Sequence, residues 1–219
     1  MLATSIHMLN DDLNTIGRKV NENLSAKHEA REKALPLARK SIRFCANAIR
    51  AIHRAEYDNA RDLLVQSHEC LQEIKTALAD QPGLMNTGYV NDAQKEYAEG
   101  RITLALVTDA ALPDPDELDI GYASYLNGMA EAASEMRRQL LDRIREGNFE
   151  RAETQLAAMD EIYNLLITVD YPDALTGGLR RTTDQLRGVL EKSRGDLTMA
   201  LNQSKLERKL ERVKENFGA

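Results

Sequence analysis

QKEYAEG, Gln94–Gly100, sets two glutamates, Glu96 and Glu99, three residues apart inside a run with helical apolar spacing. Residues three apart on a helix lie on one face, so both carboxylates would point to the same side. Such a pair is either a patch of solvated charge or half of a divalent-metal site. The neighbouring segments decide between these two interpretations.

A second glutamate pair lies in GMAEAASEMRRQLL, Gly128–Leu141, where Glu131 and Glu135 are four residues apart. Between the two pairs, the proline-containing loop ALPDPDEL, Ala111–Leu118, would let the flanking helices pack antiparallel. Counted from this loop, Glu99 and Glu131 lie at similar heights on the two helices. Four carboxylates converging there would suit Mg²⁺, or Mn²⁺ as an alternative, because both prefer hard oxygen ligands. On spacing alone, solvated glutamates remain the competing interpretation.

Helical periodicity runs along nearly the whole chain, and no segment alternates like a strand. The pattern predicts an all-α bundle of six to seven helices in a single domain, residues 1–219. Pro36 is expected to kink or divide the first helix, Asp58 or Asn59 to lie near the cap of the second, and an interruption of the last is expected near Gly195. The remaining predicted bounds are about Asn86–Asp109, Asp119–Glu146, Glu150–Val169 and Leu179–Val213.

Composition narrows the class of protein. The chain has 219 residues, of which 42% are hydrophobic and 29% charged, with a net charge of −6. The acidic balance argues against a nonspecific nucleic-acid coat protein but allows a carboxylate site that handles phosphates through a metal. No apolar stretch is long enough for a transmembrane helix and no signal peptide is expected. Cys45 and Cys70 are interpreted as buried thiols in a reducing cytoplasm.

The order and spacing of several motifs resemble the translin family, and within it the TRAX branch, as an archaeal or bacterial-type homologue. The first motif is Q-x-E-Y-x-E, here Gln94, Glu96, Tyr97 and Glu99. The second joins Tyr125, Leu126, Gly128 and Glu135 and is followed by the corner Gly147–Phe149. The third is LRRTTDQLRGVLEKSRGDL, Leu179–Leu197, which resembles the closing helix of the family.

The resemblance implies an all-α subunit of a homo-oligomer, an octameric shell, that binds single-stranded RNA and also DNA. It further implies a Mg²⁺-dependent endoribonuclease, with Glu96, Glu99 and Glu131 as catalytic metal ligands and Glu135 as a neighbouring candidate. In translin itself the position matching Glu131 is apolar, so an acid there favours the catalytic type. The chain departs from the TRAX pattern in having Glu131 for the shorter aspartate and Gly100 for the usual alanine. The basic, histidine-containing segment of translin has no clear counterpart.

Two basic pairs, Arg137 with Arg138 and Arg180 with Arg181, are predicted to contact phosphates of the nucleic acid, with surface salt bridges as the alternative. Two other functions compete with the nuclease. One is a noncatalytic single-stranded nucleic-acid-binding oligomer. The other is an all-α nucleoside-triphosphate pyrophosphohydrolase of the MazG type, which also pairs acids around Mg²⁺ but usually has an E-x-x-D second motif.

Overall fold

The structure is a computed structural model that describes the backbone of residues 2–217 and the side-chain surroundings of residues 9–215. It confirms the all-α prediction, because residues 2–217 contain helices and no strand. The α-helices are α1 (Leu2–His53), α2 (Tyr57–Ala77), α3 (Gly88–Thr108), α4 (Tyr122–Arg145), α5 (Phe149–Ile167), α6 (Asp173–Thr176) and α7 (Leu179–Phe217). A single 3₁₀ turn, Pro82–Leu84, lies between α2 and α3.

The predicted division of the first helix at Pro36 is wrong, because α1 continues through this residue as one helix. A proline in a helix removes one backbone hydrogen bond. Ala34 and Ala38, on either side of Pro36, are both buried in the core. Burial of this one continuous face holds the helix together across the missing bond.

The structure also defines the two other predicted boundaries. The N-cap of α2 is Glu56, because Ala55 turns the chain in a left-handed conformation just before it, and Asp58 and Asn59 follow two and three residues after the cap, in the first turn. Gly195 does not interrupt α7, because a glycine in an exposed helix position costs only about 1 kcal/mol. That cost is smaller than the gain from burying Leu190 and Leu197 on the inner face of the same helix.

Helix α4 lies at the centre of the fold and contacts α3, α5 and α7, while α1 packs against α2 and α3. The loop between α3 and α4 is anchored at three points. Leu118 is buried, the Tyr125 hydroxyl donates a hydrogen bond of 2.7 Å to the carbonyl of Pro113, and Lys75 binds the Asp119 carboxylate at 2.9 Å. These anchors fix the height of α4 relative to α3, which determines the geometry of the site below.

Cys45 and Cys70 are both buried and free, as the sequence predicts. Burial raises the pKa of the Cys45 thiol to about 12, so this thiol stays protonated. Within residues 2–217, no helix combines the length and the apolar composition needed to cross a bilayer.

Candidate metal centre

The site forms where α3 and α4 approach most closely, and Gly128 makes that approach possible. A Cβ atom at this position would lie 2.5 Å from the carbonyl oxygen of Lys95 and 2.7 Å from the Cβ atom of Ala98. Only a glycine facing a small residue allows two helices to pack this tightly. The close approach brings Glu131, one turn after Gly128, opposite the glutamates of α3.

Three of the four predicted glutamates meet there. Glu96, Glu99 and Glu131 each offer a carboxylate oxygen, and these three oxygens lie within 4.8 Å of one another. All three side chains are partly buried between the helices. We call these residues the acidic cluster. The register predicted from the ALPDPDEL loop therefore agrees with the observed position of Glu131 beside the two glutamates of α3.

Glu99 carries the strongest electrostatic strain in the cluster. Burial, followed by the negative charges of Glu96, Glu131 and Glu135, raises its pKa from 4.5 to about 8, and the nearby Lys95 offsets only part of this effect. The carboxylates therefore lack sufficient positive charge around them. A divalent cation is the type of ligand that would supply it.

Lys95 provides some of the missing charge. Its Nζ lies 2.8 Å from Oε1 of Glu131 and 3.3 Å from Oε1 of Glu96, so the ammonium bridges the two helices. Burial alone would lower the pKa of Lys95, but the ion pairs with Glu131 and Glu96 outweigh it and raise that pKa. Glu99 makes no ion pair with Lys95 among the contacts of residues 9–215.

Glu135 lies one turn beyond the acidic cluster and has a different partner. Its Oε2 is 2.8 Å from Nε2 of His53, at the end of α1. The His53 side chain is only 6% exposed, and its other ring nitrogen, Nδ1, is buried without a hydrogen-bond partner among the described residues. The Glu135 side chain is 36% exposed, so one side of this carboxylate stays open to solvent.

The remaining motif residues of α3 pack away from the cluster. Tyr97 is 2% exposed and packs against His68, with ring centroids 5.4 Å apart. At Gly100, a Cβ atom would lie 2.6 Å from Cδ2 of Leu64. An alanine at this position, as in the family pattern, would therefore require the Leu64 side chain to shift.

The four predicted phosphate-binding arginines have different surroundings. Arg137 is tied to α7 by bonds of 3.1 Å to Ser193 Oγ and 2.6 Å to Asp196 Oδ2, and Arg138 is exposed. Arg180 pairs with Asp170 at 3.2 Å on the surface. Arg181 alone of the four lines the groove that runs from the acidic cluster.

This groove has a volume of about 420 Å³ and lies between α3, α4 and the start of α7. Lys95 and Glu131 line one part of it, and the rest is lined by Arg181, by the acidic Asp92 and by uncharged polar side chains such as Asn91 and Gln185. Asn127 shapes its wall, because its amide donates 2.8 Å hydrogen bonds to the carbonyls of Ala123 and Thr176. The groove thus combines two cations, one further carboxylate and uncharged hydrogen-bonding groups next to the acidic cluster.

The donor set of the cluster fits a hard divalent cation. Three carboxylate oxygens from two rigid helices, with no histidine or cysteine among them, match the preferences of Mg²⁺ and Mn²⁺. Mg²⁺ is commonly bound by few carboxylates together with water and substrate phosphates, so three protein ligands leave positions for both.

Sequence reasoning missed Lys95 and His53. Lys95 stands inside the quoted QKEYAEG stretch, and its place next to Glu96 was the available signal. No comparable signal exists for His53, because 82 residues separate it from Glu135. Only the packing of α1 against the rest of the bundle brings these two side chains together.

No family model matches the chain. It is 32% identical over 192 residues to the uncharacterized protein MJ0175 of Methanocaldococcus jannaschii, covering 87% of this chain and 85% of that protein. Among solved structures, AfC3PO has a TM-score of 0.77 and 29% identity, with 85% of this chain and 97% of the other covered.

AfC3PO has also been solved in complex with duplex RNA, and this chain matches that structure with a TM-score of 0.76 at 29% identity. NeC3PO without ligand shares the fold, with a TM-score of 0.72 at 17% identity over 84% of this chain and 96% of that one. MJ0175 is thus a relative along most of the chain, and the structural neighbours are C3PO proteins of the translin and TRAX type. The chain therefore belongs to one family with MJ0175 and has the translin-type fold of the C3PO proteins.

Proposed function

We propose that this protein is a Mg²⁺-dependent endoribonuclease of the TRAX-like branch that cleaves single-stranded RNA at the acidic cluster. The observation that carries the proposal is the meeting of Glu96, Glu99 and Glu131, with oxygens within 4.8 Å of one another, beside a groove that also contains cationic side chains. The RNA complex of AfC3PO, which shares this fold at 29% identity, supports RNA as the ligand class. We further propose a homo-octamer that also binds single-stranded DNA, on the resemblance of the sequence motifs to the translin family.

In this proposal Glu96, Glu99 and Glu131 hold Mg²⁺, or Mn²⁺ in its place. The chemistry that such a cation supplies is polarisation of the scissile phosphate and a lowered pKa for an attacking water. The protein holds the carboxylates ready on two helices that are locked by Gly128, so little reorganisation is needed when the substrate arrives.

The cationic side chains of the groove position the RNA. Lys95 has Nζ between Glu131 and Glu96, where it can exchange a carboxylate contact for a phosphate oxygen. Arg181 lies in the same groove and neutralises a flanking phosphate. Arg137, Arg138 and Arg180 extend the predicted phosphate contacts over the outer surface.

Glu135 completes the site as the proposed general base. Its hydrogen bond with His53 fixes the carboxylate, and its exposed side can accept a proton from water. His53 is a positioning residue, because it holds the Glu135 carboxylate and is itself only 6% exposed.

The test is cleavage of a single-stranded RNA labelled at one end, by purified full-length protein, with Mg²⁺ and with EDTA. Duplex RNA and single-stranded DNA of the same sequence serve as comparison substrates. Glu96→Gln and Glu131→Gln remove one charge each from the cluster, and the matched control is Glu153→Gln, an exposed glutamate on α5.

The proposal expects internal cuts with Mg²⁺, none with EDTA, a loss of at least about 100-fold in rate for each cluster variant, and no change in the control. If all four proteins bind the RNA and leave it intact, the result contradicts the nuclease and favours the noncatalytic nucleic-acid-binding function. Hydrolysis of free nucleoside triphosphates in place of RNA would favour the pyrophosphohydrolase.

A further inference from the structure

The first part of α1 projects beyond the bundle. From Leu9 to Glu29 every residue is exposed except the half-buried Gly17, and Ala30 is the first buried residue among those whose surroundings the structure describes. At 1.5 Å per residue this segment reaches roughly 30 Å past the core. We call residues 9–29 the α1 extension.

The α1 extension carries an apolar stripe with nothing packed on it in the described part of the chain. Leu9, Leu13, Ile16, Val20 and Leu24 are each between 49% and 56% exposed. At about 100° of rotation per residue, they fall within an arc of roughly 80° on one face. A contiguous apolar face on a soluble helix indicates an interaction surface.

The stripe lies on the same side of α1 as the face that is buried further along. By the same helical rotation of about 100° per residue, Ala34, Ala38 and Cys45 lie on this arc, and all three are buried against the bundle. The exposed Lys27 and Arg31 lie on the arc between the two, so the stripe is a separate apolar surface beyond the end of the bundle. The stripe needs another helix to cover it, as α2 and α3 cover the buried half of α1.

We propose that the α1 extensions of two copies of this chain pair as an antiparallel coiled coil, with the twofold axis passing between Ile16 and Gly17. This register places Leu9 opposite Leu24 of the second copy and Leu13 opposite Val20. Every aliphatic side chain of the stripe then meets another one or Gly17. The spacing of the stripe is symmetric about that point, as an interface between identical helices in opposite directions requires.

Gly17 provides the space at the centre of this pair. No atom lies within 4 Å of the position that a Cβ would take there, and the residue sits beside the stripe. In the proposed register, Ile16 of the second copy packs over this bare backbone. A helix-interior glycine costs about 1 kcal/mol relative to alanine, and close packing of the partner helix offsets that cost.

The charges that flank the stripe favour the antiparallel direction. Asp12 and Lys19 lie on the same side of the stripe, about 80° to 100° from its centre. In an antiparallel pair, side chains on the same flank face each other, so Asp12 approaches Lys19 of the second copy, and the contact occurs twice. In a parallel pair this flank would face the other flank, which carries Asn10 and Asn21 and offers no charge.

The opposite face of the α1 extension is charged and exposed to solvent. Arg18 and Glu22 lie there and form an exposed ion pair of 3.1 Å along the helix. Asp11 lies on that outer face as well. Asp11 therefore provides a matched control for charge changes at Asp12.

Crosslinking tests the direction and register of the pair in the full-length protein. Leu9→Cys and Leu24→Cys are prepared separately and treated with a short bismaleimide, alone and mixed. The native thiols, Cys45 and Cys70, are buried, and the wild type measures any crosslinking through them. In the antiparallel register, identical positions are about 22 Å apart, since 15 residues separate Leu9 from Leu24.

The proposal expects covalent dimers in the mixture and none above wild type in either variant alone. Dimers of Leu9→Cys with itself would overturn it in favour of parallel pairing. A mixture without dimers would also overturn it and assign the stripe to a different partner.

Charge reversal tests the same pair independently. Asp12→Lys is introduced into both the Leu9→Cys and the Leu24→Cys protein, and it is expected to lower the rate of crosslinking in their mixture about threefold or more, because it places two positive charges in contact. Adding Lys19→Asp to both proteins restores opposite charges and is expected to restore the rate. Asp11→Lys, which makes the same charge change on the outer face, is expected to leave the rate unchanged. Equal effects of Asp11→Lys and Asp12→Lys would contradict the register.

Discussion

Replacing Glu99 with glutamine is expected to stabilise the metal-free protein at alkaline pH. In the folded chain the pKa of Glu99 is raised to about 8, first by burial and then by the charges of Glu96, Glu131 and Glu135, while 4.5 is its ordinary value. Between these two values the folded protein holds a proton that the unfolded chain has released. Stability is therefore lost as pH rises from about 4.5 to about 8, and the loss is complete above that window.

The size of the effect follows from the width of the window. One pKa unit corresponds to about 1.4 kcal/mol, so the full penalty of an ionised Glu99 is at most about 5 kcal/mol. About 2 to 3 kcal/mol of this penalty develops between pH 6 and pH 9. A neutral glutamine at position 99 keeps the shape of the side chain and carries no such penalty.

The assay is urea denaturation followed by far-UV circular dichroism, in EDTA, at about pH 6 and about pH 9 and at one protein concentration. The difference in unfolding free energy between Glu99→Gln and wild type is expected to grow by about 2 to 3 kcal/mol in favour of the variant at the higher pH. The control variant Glu153→Gln shows no such growth, because Glu153 is exposed. A difference that stays constant with pH, or a Glu99→Gln variant that is less stable than wild type at pH 9, would refute the electrostatic reasoning.

Two further predictions concern the packing and the charge of the site. Gly128→Ala forces α3 and α4 apart and is expected to lower the free energy of unfolding by about 2 to 4 kcal/mol. Gly188→Ala, on α7, has open space around its Cβ position and is expected to raise the free energy of unfolding by about 0.5 to 1 kcal/mol. Urea denaturation measures both variants, and equal effects would contradict the close crossing of α3 and α4. Lys95→Gln removes the ammonium 2.8 Å from Glu131 and is expected to tighten Mn²⁺ binding by about tenfold while it slows RNA cleavage. Calorimetric titration measures the binding and the cleavage assay measures the rate. Weaker Mn²⁺ binding in the variant would contradict the prediction and show that Lys95 supports the metal site.

The sequence carries enough information for the helices and for most of the acidic cluster. Apolar periodicity predicts the helices because each buries one face, and the proline-rich loop fixes which two helices are antiparallel neighbours. Glu99 and Glu131 can then be placed at one height by counting residues from the loop. Local propensity predicts an interruption at Pro36 and near Gly195, but burial of a continuous face outweighs that propensity and both helices continue.

Apolar periodicity and residue spacing do not predict contacts between helices that are far apart in the sequence. The pairing of His53 with Glu135 depends on how the end of α1 lies against α4. The difference between Arg137, which is bound to Asp196 of α7, and Arg181, which lines the groove, also depends on tertiary packing. The spacing of glutamates identifies a face of a helix, and only the structure shows what that face meets.

The most direct test of the metal centre is a titration of the full-length protein with Mn²⁺, followed by the loss of the free-ion signal in electron paramagnetic resonance. Wild type is expected to bind Mn²⁺ and to release it when Mg²⁺ is added. Glu96→Gln is expected to bind Mn²⁺ at least about tenfold more weakly, while Glu153→Gln behaves as wild type. Binding that is equally strong in all three proteins, or absent from wild type at millimolar Mn²⁺, would contradict the assignment of Glu96, Glu99 and Glu131 as the site of the catalytic cation.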